Sequence, residues 1–290
     1  MSTPAIVITG VGLVLPPTLT AHLDNPAAPA PMPPPEITAF ETPADAPAWG
    51  FEIVDFKLDA ELPHIKSFVD RTSAFALVAG KRALTQAGLG DKNARPAELE
   101  VGCTYGSMFG CLEAMGIFWT KVKTSNPKFA QPLPFTHGYA NSPSSLLCIE
   151  YGLRGPAATF SGEANAGLEA LLFAHDQLAG GAGEAILVCA SESLTSALYL
   201  HLLAEKKLSA TGDPTTGIVP GEGGVALLLE TAASAAKRNA RVLSTIGQID
   251  VLAGRVQLSG PQPLNIAEIH RHGGTLFSVD ALAAVAGVCR

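Results

Sequence analysis

The sequence predicts a layered α/β fold, and three observations carry that reading. Ala185-Ile-Leu-Val-Cys-Ala190 is apolar without alternation, as a strand covered on both faces must be. Ser67 to Gln86 is Ala-rich with Phe68, Phe75, Val78, Ala79 and Ala83 at helical spacing. Gly155 to Ala170 reads as a short β-branched and aromatic strand, a sharp turn and an Ala-rich helix. Strands that alternate with apolar helices pack as helical layers on a sheet.

The elements follow in order. Ala5 to Thr9 is a short apolar strand. Residues 26–47 hold eight prolines among alanines and small polar residues, a composition that neither a helix nor a central strand accepts, so a surface loop is expected. The helix over Ser67–Gln86 stops at Gly88. Glu100 to Tyr105 reads as a strand, Leu112 to Thr124 as a helix, and the Pro- and Ser-rich stretch from Asn126 to Ser145 as irregular. Ala185–Ala190 is expected to be a buried parallel strand, and Val225 to Leu229 another.

Composition narrows the function. Of 290 residues 47% are hydrophobic and only 16% charged, which calls for a large core, an extensive subunit interface, or both. The net charge is −7 and no Lys/Arg cluster exists, so the footprint of a nucleic-acid binder is missing. No apolar run is long enough to cross a bilayer, and the N-terminus enters a strand rather than a signal sequence; a cytoplasmic protein is expected. The five cysteines lack Cys-x-x-Cys spacing and read as reduced structural thiols. No metal-ligand pattern and no cofactor motif emerges. Gly221-Glu-Gly-Gly224 lacks the Lys and Ser/Thr of a phosphate loop and precedes a strand, so it reads as a tight turn.

The segment from Gly155 to Ala170 has the strongest functional bearing. A strand that turns sharply into a buried helix exposes one side chain beside the helix N-terminus, whose N–H groups stabilise an anion. Here that place holds Ala164, which can neither attack a thioester nor ionise. The stretch resembles the nucleophile elbow of the β-ketoacyl synthases of the thiolase superfamily: Gly-Pro, a strand, then Thr-Ala-Cys-x-Ser-Gly. With Gly155-Pro156 and Gly167 fixed, Ala164 stands at the cysteine without a gap, flanked by Glu163 and Ala166. The resemblance extends in order from Ile6-Val-Ile-Thr-Gly-Val-Gly-Leu13, through Asp70-Arg71 with its Ala-rich helix and Tyr151-Gly-Leu-Arg-Gly-Pro156, to Gly217-Ile-Val-Pro-Gly-Glu-Gly-Gly224 and Ala235-Ala-Lys-Arg-Asn-Ala240.

The resemblance implies a thiolase-like αβαβα fold. Residues 1–250 are similar to the family's N-terminal half, with the Pro-rich loop 26–47 replacing a helical excursion. Residues 251–290 look like a shortened remnant of the C-terminal half, the whole forming one compact domain. That half supplies the family's two histidines. No Thr-His-Gly-Thr is present, and Thr275 stands where the other histidine belongs, with His270 and His272 nearby. Losing the nucleophile removes several orders of magnitude in rate, so the chain alone is not expected to condense acyl groups.

By resemblance it is similar to the catalytically silent chain-length factors of type II polyketide and aryl polyene systems. Such a subunit pairs with an active synthase and reaches acyl carrier protein through that partner; a homodimer is also open. In the family the protomers join through the strand before the elbow, here Ala158, Thr159, Phe160 and Ser161. Met108, Phe109 and Phe135 occupy segments that border the acyl tunnel. Two alternatives stand beside this reading: a malonyl-carrier-protein decarboxylase or acyltransferase using Glu163 or Ser161, and a homodimeric carrier-protein binder. Against the first, Ser161 lies on the strand rather than at the turn, and Glu163 suits a helix start. His137, His175 and Cys111 read as packing or surface residues.

Overall fold

The computed structural model describes residues 4–91, 93, 99–125, 127–250, 255–259 and 263–289. In chain order the elements are β1 (Ile6–Val14), α1 (Pro17–Asp24), α2 (Leu58–Glu61), α3 (Arg71–Gln86), β2 (Val101–Ser107), α4 (Leu112–Thr124), α5 (Pro132–His137), α6 (Ser142–Tyr151), β3 (Ala157–Ser161), α7 (Ala166–Ala179), β4 (Ala185–Glu192), α8 (Ser196–Ala204), β5 (Gly223–Thr231), α9 (Ala232–Lys237), β6 (Ser244–Asp250), β7 (Arg255–Leu258), α10 (Ile266–Gly273) and α11 (Asp280–Val288).

The strands form one sheet in the order β3-β2-β4-β5-β1-β6-β7. Its centre is apolar on both faces. In β4, Ile186, Val188 and Ala190 join the core that α7 and α11 cover, while Ala185, Leu187 and Cys189 join the core under α3 and α6. This is why β4 shows no alternation in sequence. Each large apolar side chain so buried contributes about 1.5–3 kcal/mol. The expected parallel arrangement holds only in part. β2 runs parallel to β3 and β4, but β5 is antiparallel to both β4 and β1. A strand covered on both faces reads alike in either direction.

Helix α3 begins later than its periodicity suggested. Asp70 caps it, its carboxylate accepting from the Thr72 N–H at 2.9 Å and from the Ala114 N–H at 2.8 Å. It ends where Gly88 adopts φ +74° and the Leu89 N–H reaches the Leu84 carbonyl at 2.8 Å. The helix lies close on β1 because position 12 is glycine: a Cβ there would sit 1.9 Å from the Ala79 carbonyl oxygen.

The stretch expected to be irregular is largely helical. It holds a 3-10 turn (Pro127–Phe129), α5 and the start of α6; Asn126 itself is outside the described residues. Its prolines sit at helix starts, Pro132 opening α5 and Pro143 in the first turn of α6, where the missing N–H is no loss. The Pro-rich stretch 26–47 is a loop, as expected. It closes on itself through the Ile37 N–H to Ala48 carbonyl bond at 2.7 Å, and the Tyr199 hydroxyl donates to the Pro47 carbonyl at 2.8 Å.

Candidate functional site

β3 is an edge strand, paired on one side with β2 so that Ser107 lies opposite Ser161. The chain turns through Gly162, Glu163, Ala164 and Asn165, and α7 starts at Ala166. Residues Ser161 to Asn165 are exposed, while Ala166, Gly167 and Leu168 are buried. The elbow expected from sequence is therefore present, with Ala164 on its exposed turn. The helix start is fixed from behind: a Cβ on Gly167 would lie 2.1 Å from the Ser278 carbonyl oxygen. Glu163 and Ser161 are both exposed on this side of the turn.

The ends of β2 and β4 hold a carboxylate that the sequence reading missed. Glu192 is fully buried. It accepts from the Ser278 hydroxyl at 2.6 Å, the Ser107 hydroxyl at 3.1 Å, the Phe109 N–H at 3.3 Å and the Met108 N–H. Burial pushes its pKa up to about 7, against the opposing pull of these four donors. The carboxylate joins the turn after β2, the end of β4 and the turn before α11. The only sequence signal was a glutamate closing an otherwise apolar and small-residue strand.

Met108 and Phe109 lie in the turn after β2. Both pack into a cluster with Leu194, Leu198, Tyr199 and Leu202, which the Pro-rich loop closes with Ile37 and Phe40. A groove of about 700 Å³ runs between that loop, α4 and α8, lined by Phe40, Leu112, Leu194 and Leu200 among others. Phe135 is elsewhere. It stands on α5 between the half-buried Phe118 of α4 and the exposed Tyr139 of the turn after α5, with ring centroids 5.0 Å and 5.2 Å away. The structure thus brings Met108 and Phe109 together and sets Phe135 apart from them. On β3, the Thr159 hydroxyl shares a 2.8 Å hydrogen bond with Ser144 of α6, and Phe160 packs on Phe173.

The remaining candidates find structural partners. The Arg71 guanidinium donates twice to Glu222, from Nε at 2.9 Å and Nη2 at 2.6 Å, and Glu222 also accepts from the Ile53 and Leu194 N–H groups. The Gly221–Gly224 turn is thereby tied to three neighbouring segments. Burial, and then Asp70, push the Cys111 thiol well up, away from the thiolate a nucleophile needs. His137 packs edge-on to Phe68 and burial lowers its pKa. His175 meets Asp176 at 3.2 Å on α7. His270 pairs with Asp280 at 2.9 Å, and both ring nitrogens of His272 face carbonyls, of Glu268 and Ala28. Among the described residues no group of three His, Cys, Asp or Glu could hold a metal ion, and no helix is long and apolar enough to cross a membrane.

Comparison with known proteins places this geometry. Residues 35–235 match the family described as the N-terminal domain of β-ketoacyl synthases. A Streptomyces violaceoruber protein, provisionally named granaticin polyketide β-ketoacyl synthase 2, is 27% identical over 201 residues, covering 65% of this chain and 48% of that protein. The ishigamide ketosynthase/chain length factor superposes with a TM-score of 0.72 at 20% identity, over 84% of this chain and 62% of that one. The ketosynthase complex AntDE:AntF, a type II polyketide acyl-carrier protein with its ketosynthase bound to the hexaketide, gives 0.67 at 22% identity, over 85% and 69%. The chain spans about half the length of the first relative. The two solved structures establish the thiolase-like ketosynthase fold.

Proposed function

The chain belongs to the β-ketoacyl synthase family, and on that premise we propose that it is a non-catalytic ketosynthase-like subunit, a chain-length factor. It pairs with an active β-ketoacyl–acyl-carrier-protein synthase and shapes that partner's acyl tunnel in polyketide, aryl polyene or fatty-acid-type elongation. One observation carries the reading: the elbow is intact, and the residue on its turn is Ala164. A methyl group cannot accept an acyl chain, so whatever the fold preserves is not nucleophilic catalysis.

The pairing surface we assign is β3. Among the described residues no strand pairs with its outer edge, and its side chains from Ala157 to Ser161 are exposed or half-buried. The exposed rings of Phe135 and Tyr139 add apolar area of the kind that obligate interfaces bury. Phe109, at the end of β2, is the residue we assign to limiting chain length, and carrier protein is reached through the partner. α11 packs on the core that α7 and β5 share.

The test is a condensation assay with malonyl-carrier protein. The chain alone should be inactive, the partner synthase alone weak or inactive, and the mixture active. Turnover by this chain alone, abolished in Glu163→Ala, would replace the silent-subunit reading with a decarboxylase.

A further inference from the structure

Three of the five cysteines meet in one core. In β2, Cys103 faces the same side of the sheet as Val101 and Tyr105. In β4, Cys189 stands opposite Tyr105 in the register and faces that side too. Helix α6 packs on β2 there and brings Cys148 against the same core. The other two lie apart. Cys289 belongs to the core on the far face of the sheet, and Cys111 sits at the start of α4 with its sulfur 3.6 Å from the Ser73 hydroxyl.

Within this cluster one pair of thiols is in direct contact: the Cys103 S–H donates to the Cys148 sulfur. Cys103 is fully buried, while Cys148 is half-buried, so Cys148 is the member that solvent reaches. Helix α6 holds it in place from both ends. Ser144 in its first turn shares a 2.8 Å hydrogen bond with Thr159 of β3, and the Tyr151 hydroxyl at its last residue donates to the Leu77 carbonyl at 2.7 Å. The contact also sets the two thiols apart chemically. The bond from Cys103 holds the Cys148 thiol below its ordinary range, against burial. The same bond, and then burial, hold the Cys103 thiol well above its own. Access to water and an eased ionisation mark a reactive cysteine; a buried structural thiol has neither.

We propose that Cys148 and Cys103 are a redox pair: hydrogen peroxide oxidises Cys148, and Cys103 resolves it to a disulfide that locks α6 onto β2. In the first step the Cys148 thiolate attacks the peroxide. An S–O bond forms, the O–O bond breaks, and the leaving hydroxide takes up the proton that Cys148 released, giving water and a sulfenic acid. In the second step the Cys103 sulfur attacks the sulfenic sulfur. The S–S bond forms, the S–O bond breaks, and the departing hydroxide takes the Cys103 proton as a second water. The two thiols give up two electrons and two protons, and the peroxide takes them all. Once Cys148 is oxidised no thiolate faces Cys103, so the larger of the two effects that keep its proton in place is gone. The pair belongs to this chain by itself and does not rest on its having a synthase partner.

The experiment treats the folded chain with hydrogen peroxide, alkylates the remaining thiols in denaturant, and reads the intact mass and the non-reduced tryptic and chymotryptic peptides. In wild type the alkylated cysteines should fall from five to three, the pair being lost, with Cys103 linked to Cys148. Dithiothreitol should restore all five. In Cys103→Ala no disulfide should form, and dimedone should trap Cys148 as its sulfenic acid. In Cys148→Ser every remaining thiol should stay reduced. Peroxide-treated wild type that keeps five free thiols would overturn the proposal, as would a disulfide that joins Cys148 to Cys189 instead. If Cys103→Ala does not fold, wild type alone decides, because the linked peptides identify both partners.

Discussion

Glutamate 192 should make the stability of the fold fall as pH rises through the neutral range, and Glu192→Gln should remove that dependence. The carboxyl is fully buried, and its pKa rises from an ordinary 4.5 to about 7. Between those values the folded protein holds a proton that the unfolded chain releases. Stability from this group is therefore complete below about pH 4.5 and is lost as pH climbs to about 7. At 1.36 kcal/mol per unit, the loss is about 3 kcal/mol as an upper bound. Glutamine carries no charge to desolvate, so its variant lacks this slope. It also places an N–H group against the donors that surround Glu192, so it is expected to be the less stable protein at pH 5. Urea unfolding of both proteins at pH 5, 6, 7 and 8 reads the difference. The gap should shift in favour of the variant by up to about 3 kcal/mol between pH 5 and 8. Asp70 and Asp280, the other buried carboxyls raised by burial, are common to both proteins and cancel. A gap that stays constant within about 0.5 kcal/mol across that range would refute a neutral, desolvated Glu192.

Thr159→Pro should abolish pairing at β3 while leaving the monomer folded. The 156 carbonyl faces β2, so by alternation the 159 N–H faces the free edge; Thr159→Ala, which loses only the hydroxyl bond to Ser144, should still pair, as sedimentation velocity would show. Asp70→Ala removes the cap of α3 and a bond to the start of α4; a loss of about 1–3 kcal/mol is expected in chemical unfolding. Phe109→Ala, assayed in the complex, should shift products to longer chains, since each further buried CH₂ gains about 0.8 kcal/mol once the ring is absent; an unchanged product distribution removes Phe109 from the account.

Local chemistry made much of this fold legible in the sequence. The helix over Leu112–Thr124 and the β3–turn–α7 elbow follow from periodicity and turn residues, because in them the local preference and the tertiary environment agree. The helices at 132–137 and 142–151 were hidden by prolines that mark helix starts as readily as loops. Strand direction at β5 was hidden because a strand buried on both faces has no face to reveal it. At the site, Ala164 was visible as a substitution in a motif. Glu192 was not, because its meaning depends on donors from Ser107 and Ser278, 85 and 86 residues away.

The silent-partner reading turns on whether this chain binds a synthase, and native mass spectrometry tests that most directly. The chain is measured alone and after co-expression with the β-ketoacyl synthase encoded nearest to it. The account predicts a tight 1:1 complex, with condensing activity present only in that complex. A stable homodimer that ignores the synthase would contradict it.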